Sequence, residues 1–203
     1  MLSRENMENL DRAVVFATNE YQRTQHSKSA EHEAWLDHLQ VFAHRGDMFL
    51  NTKGKKEVEG NMDCGWPHRT RDLNFPSSTI ACIVGDPSGV CVLDFDDPDI
   101  YTEVVSEYTD RCWPTVKTQR GFHVYFEYTG ETKEAFRSLP KAIGKLDLKS
   151  SGQMWFPGCR VKQQDGSYFQ YEWVPHLCNT RAGVGVLGQM PGDMIDKLKT
   201  ISA

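Results

Sequence analysis

The sequence predicts a mixed α/β (α+β) domain built around a central sheet. Three observations carry this: several short runs after residue 78 alternate apolar and polar residues, apolar residues recur at helical spacing before and between those runs, and no internal repeat is present. The first 45 residues read as an N-terminal helical segment. Met7, Leu10, Val14 and Tyr21 share one helical face, and Trp35, Leu36, Leu39 and Phe42 share another, with the polar QRTQHSKS between them. Residues 51–78, NTKGKKEVEG through FPSS, are polar and turn-rich and read as a long loop. Thr79 to Val84 and Gly89 to Asp96 then read as strands joined by the turn GDPSG.

Asp97-Pro98 is a helix start, an N-cap acid followed by proline at the first helical position, and Ile100, Tyr101, Val104, Val105 and Tyr108 give that helix its apolar face. Strands at Thr115–Thr118 and Phe122–Tyr128 follow, then a helix near Thr132–Ala142 and a strand at Lys145–Lys149. MWF, an aromatic strand YFQYEWV and a closing helix Met194–Ile201 complete the chain.

At 203 residues and 39% hydrophobic, the chain can bury the core of one domain. Its net charge of −5 argues against wholesale polyanion binding, but the charge is segregated. Asp94 to Asp110 holds seven acids and no Lys or Arg, whereas Thr115 to Lys162 holds nine Lys or Arg against four acids. The six cysteines are scattered without a CxxC and read as reduced thiols of an intracellular protein, in cytoplasm or nucleus. CGWPH and HLC offer zinc-ligand types without the paired spacing of a four-ligand site. The N-terminus lacks the apolar stretch of a secretory signal, and no run approaches the ~20 apolar residues of a membrane helix.

The chemistry concentrates in three runs. In VLDFDD, Asp94 and Asp96 alternate with Leu93 and Phe95, so both acids share one strand face. GFHVYF puts His123 and Tyr125 on one face and Phe122, Val124 and Phe126 on the other; KLDLK puts Lys145, Asp147 and Lys149 opposite Leu146 and Leu148. Singly, each has a plain explanation: a DxD at a strand end is most often a helix cap or a solvated pair, and a lone histidine is most often structural. Jointly, on neighbouring strands, they would bring three carboxylates and an imidazole to one surface, where repulsion calls for a divalent cation. Oxygen ligands point to Mg2+ or Mn2+, and three carboxylates suit two ions about 3.5–4 Å apart in phosphoryl transfer. Lys117, Arg120, Lys149 and Arg160 lie within or beside these strands as phosphate contacts.

The succession ACIVGDPSGVCVLDFD, TVKTQRGFHVYF and KLDLKSSGQMWFPG resembles the bifunctional DNA primase/polymerase domain of the archaeo-eukaryotic primase superfamily. The likeness spans roughly Phe42 to Lys199, including the closing MPGDMIDKLK, and is weak over the first forty residues. It departs at Gln119, where proline is usual, at Phe122, where a second glycine is common, and at Lys149, where arginine often follows the third acid.

The resemblance implies a two-lobed fold with an RRM-like antiparallel sheet carrying the site, and a catalytic domain over residues 46–203. It implies metal ligation by Asp94, Asp96 and Asp147, nucleotide binding by His123, and secondary phosphate contacts from Lys117, Arg120, Lys149 and Arg160. The activity implied is template-directed nucleotidyl transfer, which extends a 3'-hydroxyl or starts primers with two Mg2+ or Mn2+ ions. The partners implied are single-stranded DNA, nucleoside triphosphates and a replicative helicase, as in plasmid, phage and large DNA virus replication proteins. No Walker A pattern occurs, so the chain reads as a stand-alone primase or as one domain of a longer protein. Two other readings share the motif: a binding module that has lost turnover, and a DxD manganese-dependent sugar-nucleotide transferase. Acids on all three runs disfavour the first, and RGFHVYF disfavours the second.

Overall fold

Val90–Phe95 (β5) is the strand on which the architecture is organised, and in the computed structural model of the chain it is central to a six-stranded sheet. The structure describes residues 40–44, 48–50, 56–58, 79–108, 113–157, 159–174 and 187–202. Before β5 come β1 (Gln40–His44), β2 (Met48–Leu50), β3 (Lys56–Val58) and β4 (Thr79–Ile83). After it come α1 (Pro98–Val105), β6 (Thr115–Lys117), β7 (Phe122–Glu127), α2 (Gly130–Ser138), β8 (Ala142–Ile143) and β9 (Leu146–Lys149). Last are β10 (Gln153–Trp155), β11 (Arg160–Lys162), β12 (Tyr168–Gln170), β13 (Glu172–Trp173) and α3 (Gly192–Ser202). The six-stranded sheet runs β13-β6-β7-β5-β9-β8, antiparallel throughout. Two smaller sheets run β1-β4-β10 and β12-β11-β2-β3. The mixed α/β class predicted from the sequence is what the chain adopts.

Alternation along β5 divides the core in two. Cys91, Leu93 and Phe95 join Val124, Phe126, Leu146 and Leu148 in a cluster closed by Val104 of α1, Ala135 and Phe136 of α2, and Met194, Ile195 and Leu198 of α3. Each such large apolar side chain, once buried, stabilises by roughly 1.5–3 kcal/mol. The opposite face presents Val90, Val92, Val116 and Tyr125, which pack with Cys82, Met154, Val161 and Tyr171. That face is therefore apolar at one end only. Its other end carries Asp94 and Asp96.

Asp97, not Asp94 or Asp96, is the helix cap. Its carboxylate accepts from the Asp99 N–H at 3.0 Å with Pro98 behind it, as the sequence predicts for this helix start. Lys145 Nζ sits 2.9 Å from the same side chain. Gly121 makes the next turn possible, since a Cβ there would lie 2.1 Å from the Phe95 carbonyl oxygen; only glycine lets the β6–β7 loop come this close to the end of β5.

Four expectations are corrected. Gln40–His44 is a strand paired with β4 over its full length, with Phe42 opposite Ala81, so the helical pattern does not reach residue 45 and these residues belong with the sheet. The rest of that predicted helical segment lies outside the described residues. Lys56–Val58 forms β3 within the predicted loop. The second helix stops at Ser138, because Leu139, preceding Pro140, is held extended with ψ 153°, and Ala142 enters β8. YFQYEWV is two strands in two sheets: the Tyr171 N–H bonds the Cys159 carbonyl at 2.8 Å, and the chain crosses from β12 to β13 at that point. Cys82, Cys91 and Cys159 are buried and outside any disulfide, and burial pushes the Cys82 pKa up to about 12. No described helix is long and apolar enough to cross a membrane.

Gly121→Ala is expected to destabilise by roughly 1–3 kcal/mol, the usual cost of forcing atoms into a packed site, and to lower the melting temperature by several degrees. An unchanged melting curve would contradict the close approach. Asp97→Ala should also lower the melting temperature, with Asp97→Asn milder because asparagine caps helices well. The hydrogen bond from Lys145, then that from the Asp99 N–H, lower the Asp97 pKa. The carboxylate's contribution is thus complete above about 3.9, the ordinary value, and disappears as pH falls through the lowered folded-state value. Melting curves of wild type and Asp97→Ala from about neutral pH down to about pH 2 should converge toward the acid end.

Candidate active site

Strand register assembles the site. Asp94 stands opposite His123 of β7 on one side and opposite Asp147 of β9 on the other, so an imidazole and two carboxylates form a row across three strands. Asp96, two residues beyond Asp94, carries the same face past the end of β5, where its N–H bonds the Lys145 carbonyl at 2.8 Å. The ends of β5 and β7 are held from behind by Tyr101 of α1, which stacks on Phe122 with ring centroids 4.1 Å apart and meets Phe95 edge-on at 5.5 Å. Phe122, a departure from the family pattern, thus packs on the helix side of the sheet.

Each acid leans on a protein cation or imidazole. His123 Nε2 lies 3.3 Å from Asp94 Oδ1, Arg120 Nη2 lies 2.8 Å from Asp96 Oδ2, and Lys149 Nζ lies 2.5 Å from Asp147 Oδ2. Two like charges directly opposite on neighbouring strands are unfavourable, and these partners offset that repulsion. The Arg120 and Lys149 pairs are solvent-exposed enough that each contributes no more than about 1 kcal/mol to stability. His123 differs from them, since its side chain is only 3% exposed and its ring lies nearly parallel to Tyr171 at 5.8 Å. His123 Nδ1 is buried and has no hydrogen-bond partner among the described residues.

The other candidate contacts divide. Arg120 is at the site because Gly121 permits the tight loop, and the neighbouring Gln119, the second departure, donates from Nε2 to Gln163 Oε1 at 2.6 Å. Lys149 is on the acid face. Lys117 is not, because its register partner is Phe122, which puts it by alternation on the helix-covered face. Arg160 lies in another sheet, its guanidinium 4.4 Å from the centroid of the Tyr168 ring. Lys145, expected on the acid face, directs its ammonium to Asp97. Tyr171 and Gln163 went unnoticed in the sequence; the alternation in YFQYEWV marks aromatic packing without naming the histidine it meets.

The donor set suits a hard divalent ion: three carboxylates on one face, two of them directly opposed. As the side chains stand, no three His, Cys, Asp or Glu groups among the described residues are gathered closely enough to hold one. The CGWPH and HLC runs lie outside the described residues.

No curated protein sequence matches the chain. The family model for the bifunctional DNA primase/polymerase N-terminal domain, Prim-Pol, matches residues 13–187, a span that includes the acid row, the glycine that admits Arg120, and His123. With most of its length matched, the chain belongs to the bifunctional DNA primase/polymerase family.

Proposed function

We infer that the chain is a template-directed nucleotidyl transferase, extending a 3'-hydroxyl or starting primers on single-stranded DNA with nucleoside triphosphates. The observation that carries this reading is the row His123, Asp94, Asp147, with Asp96 beyond it on the same face. Asp94, Asp96 and Asp147 would hold the metal. Two Mg2+ or Mn2+ ions bound there would activate the attacking hydroxyl and stabilise the leaving pyrophosphate oxygen.

The remaining roles belong to the chain's own groups. Arg120 and Lys149 neutralise Asp96 and Asp147 in the structure, and they are the nearest cations to offer an incoming triphosphate. Arg120 can grip phosphate oxygens with two parallel N–H groups, whereas Lys149 acts as a point charge. His123 is assigned to the nucleotide's phosphate or sugar, a contact that requires its Nε2 to exchange Asp94 for the substrate. Lys117 is left out of the set, because the register turns it to the other face.

The test incubates the protein and Mn2+ or Mg2+ with primed and unprimed single-stranded template and labelled nucleotides, products sized on a gel, and in a parallel reaction with a labelled sugar nucleotide. Template-dependent chains are expected. Sugar-nucleotide turnover, or nucleotide binding without product, would replace this reading with one of its two rivals.

Asp96→Asn and Asp147→Asn should each cut extension by roughly a hundredfold or more, the scale of losing one preorganised electrostatic partner in a site. Near-normal extension by either would return the acids to a structural role. Arg120→Ala should weaken triphosphate binding by about ten- to a hundredfold, the scale of a lost charge-assisted hydrogen bond, while changing stability by no more than about 1 kcal/mol. EDTA should weaken labelled-nucleotide binding to the wild type. Equal affinity with and without EDTA would remove the metal from the account.

A further inference from the structure

The β11–β12 hairpin has an open face that the acid row does not use. Its register pairs Arg160 with Gln170, Val161 with Phe169, and Lys162 with Tyr168. Alternation therefore puts Arg160, Lys162, Tyr168 and Gln170 on one side and Val161 and Phe169 on the other. Val161 is fully buried, and Phe169 packs against the same core cluster. On the other side Tyr168 is 45% exposed and is the one large hydrophobic side chain exposed among the described residues. The Arg160 guanidinium lies over its ring, and Lys162 and Gln170 are exposed beside it.

Among the described residues of the two hairpin strands no acid occupies this face, and the first acid that register brings to the same side is Glu57 of β3, two strands from Lys162. Asp165, in the connecting turn, accepts from the Ser167 N–H at 2.9 Å and from the Ser167 Oγ at 2.6 Å, bonds that stay within the turn. Glu172, beyond the hairpin, stands opposite Lys117 in the β13–β6 register. The hairpin face therefore offers an aromatic ring, a stacked guanidinium, an exposed lysine and an amide. Those groups suit the π-face, phosphate and edge of an unpaired base. A base within a duplex hides its face in the stack, so the complement is single-stranded nucleic acid.

The hairpin is also tied to the acid row. Gln163, at the end of β11, holds Gln119, the neighbour of the Arg120 that meets Asp96. Tyr171, which follows β12 directly, stacks on His123.

We propose that the open face of the β11–β12 hairpin is a seat for the single-stranded DNA template, with Tyr168 stacking on a base and Arg160 and Lys162 meeting the adjoining phosphates. The identity of the strand as template rests on the primase/polymerase reading; the stacking surface itself does not.

The test measures the affinity of the full chain for a fluorescein-labelled oligothymidylate by anisotropy, for wild type, Tyr168→Ala, Tyr168→Phe and Lys162→Ala, over a series of salt concentrations. Tyr168→Ala should bind about 5- to 150-fold more weakly, the range measured for one base stacked on an aromatic ring. Tyr168→Phe, which keeps the ring, should bind within about twofold of wild type if stacking is what matters. Lys162→Ala should lower the salt slope by about one unit or less, as expected for one phosphate contact. Labelled-triphosphate affinity should be unchanged in all three. The proposal is overturned if Tyr168→Ala binds the oligonucleotide as wild type does, if Tyr168→Phe is as weak as Tyr168→Ala, or if wild type shows no single-strand binding. Loss of the functional reading looks different: wild type makes no template-dependent product, or Asp96→Asn extends normally, whatever Tyr168→Ala does to DNA affinity.

Discussion

Asp94 facing Asp147 across adjacent strands is the constraint on which the rest of the structure depends. Two carboxylates opposed in a sheet repel each other, and β5 cannot shift by one residue to escape, because that would bring Leu93 and Phe95 to the acid face and carry charge into the helix-covered core. The apolar partners of β5 therefore hold the acids where they repel. The chain answers with partners drawn from three separate places: the Lys149 ammonium from β9 itself, the Arg120 guanidinium from the β6–β7 loop, and the His123 imidazole from β7. In this view the cations of the site balance the acids in the free protein and are ready to meet an anionic substrate.

The supporting elements follow from the same demand. Gly121 lets Arg120 approach the end of β5. Asp97 starts α1 immediately after the acids, and Tyr101 of that helix clamps Phe95 and Phe122 from the opposite face. One sheet thus serves two purposes, with its helix side entirely apolar in the centre and its other side apolar at one end and ionic at the other. The acid stretch VLDFDD holds both uses of aspartate side by side: Asp94 and Asp96 face the site, and Asp97 caps a helix.

What could be read from sequence was what local alternation encodes. Strands β4, β5, β7 and β9, the Asp97 cap, and the shared face of Asp94 with Asp96 all follow from period two or from a capping signal within a few residues. What depends on pairing between distant segments was not legible. QVFAH fits a helical pattern and a strand equally well, and only the free edge of β4 decides for the strand. Lys117 lies beside Arg120 in sequence, yet register with Phe122 sends it to the far face. The partners of the acids, and the stacking of Tyr171 on His123, are set by tertiary approach, which no spacing of residues announces.

The central claim is that the opposed carboxylates are kept in mutual repulsion for the sake of a divalent cation. Thermal melting of wild type and Asp147→Asn, each with EDTA and with the same excess of Mn2+, tests it most directly, because an ion that binds only the folded chain raises its stability by an amount that grows with the logarithm of its concentration over its dissociation constant. The account predicts that Asp147→Asn melts no lower than wild type in EDTA, since a repulsion is removed along with an exposed ion pair, and that the Mn2+-induced rise seen in wild type is lost. A variant that melts well below wild type in EDTA and still gains the full rise with Mn2+ would contradict it.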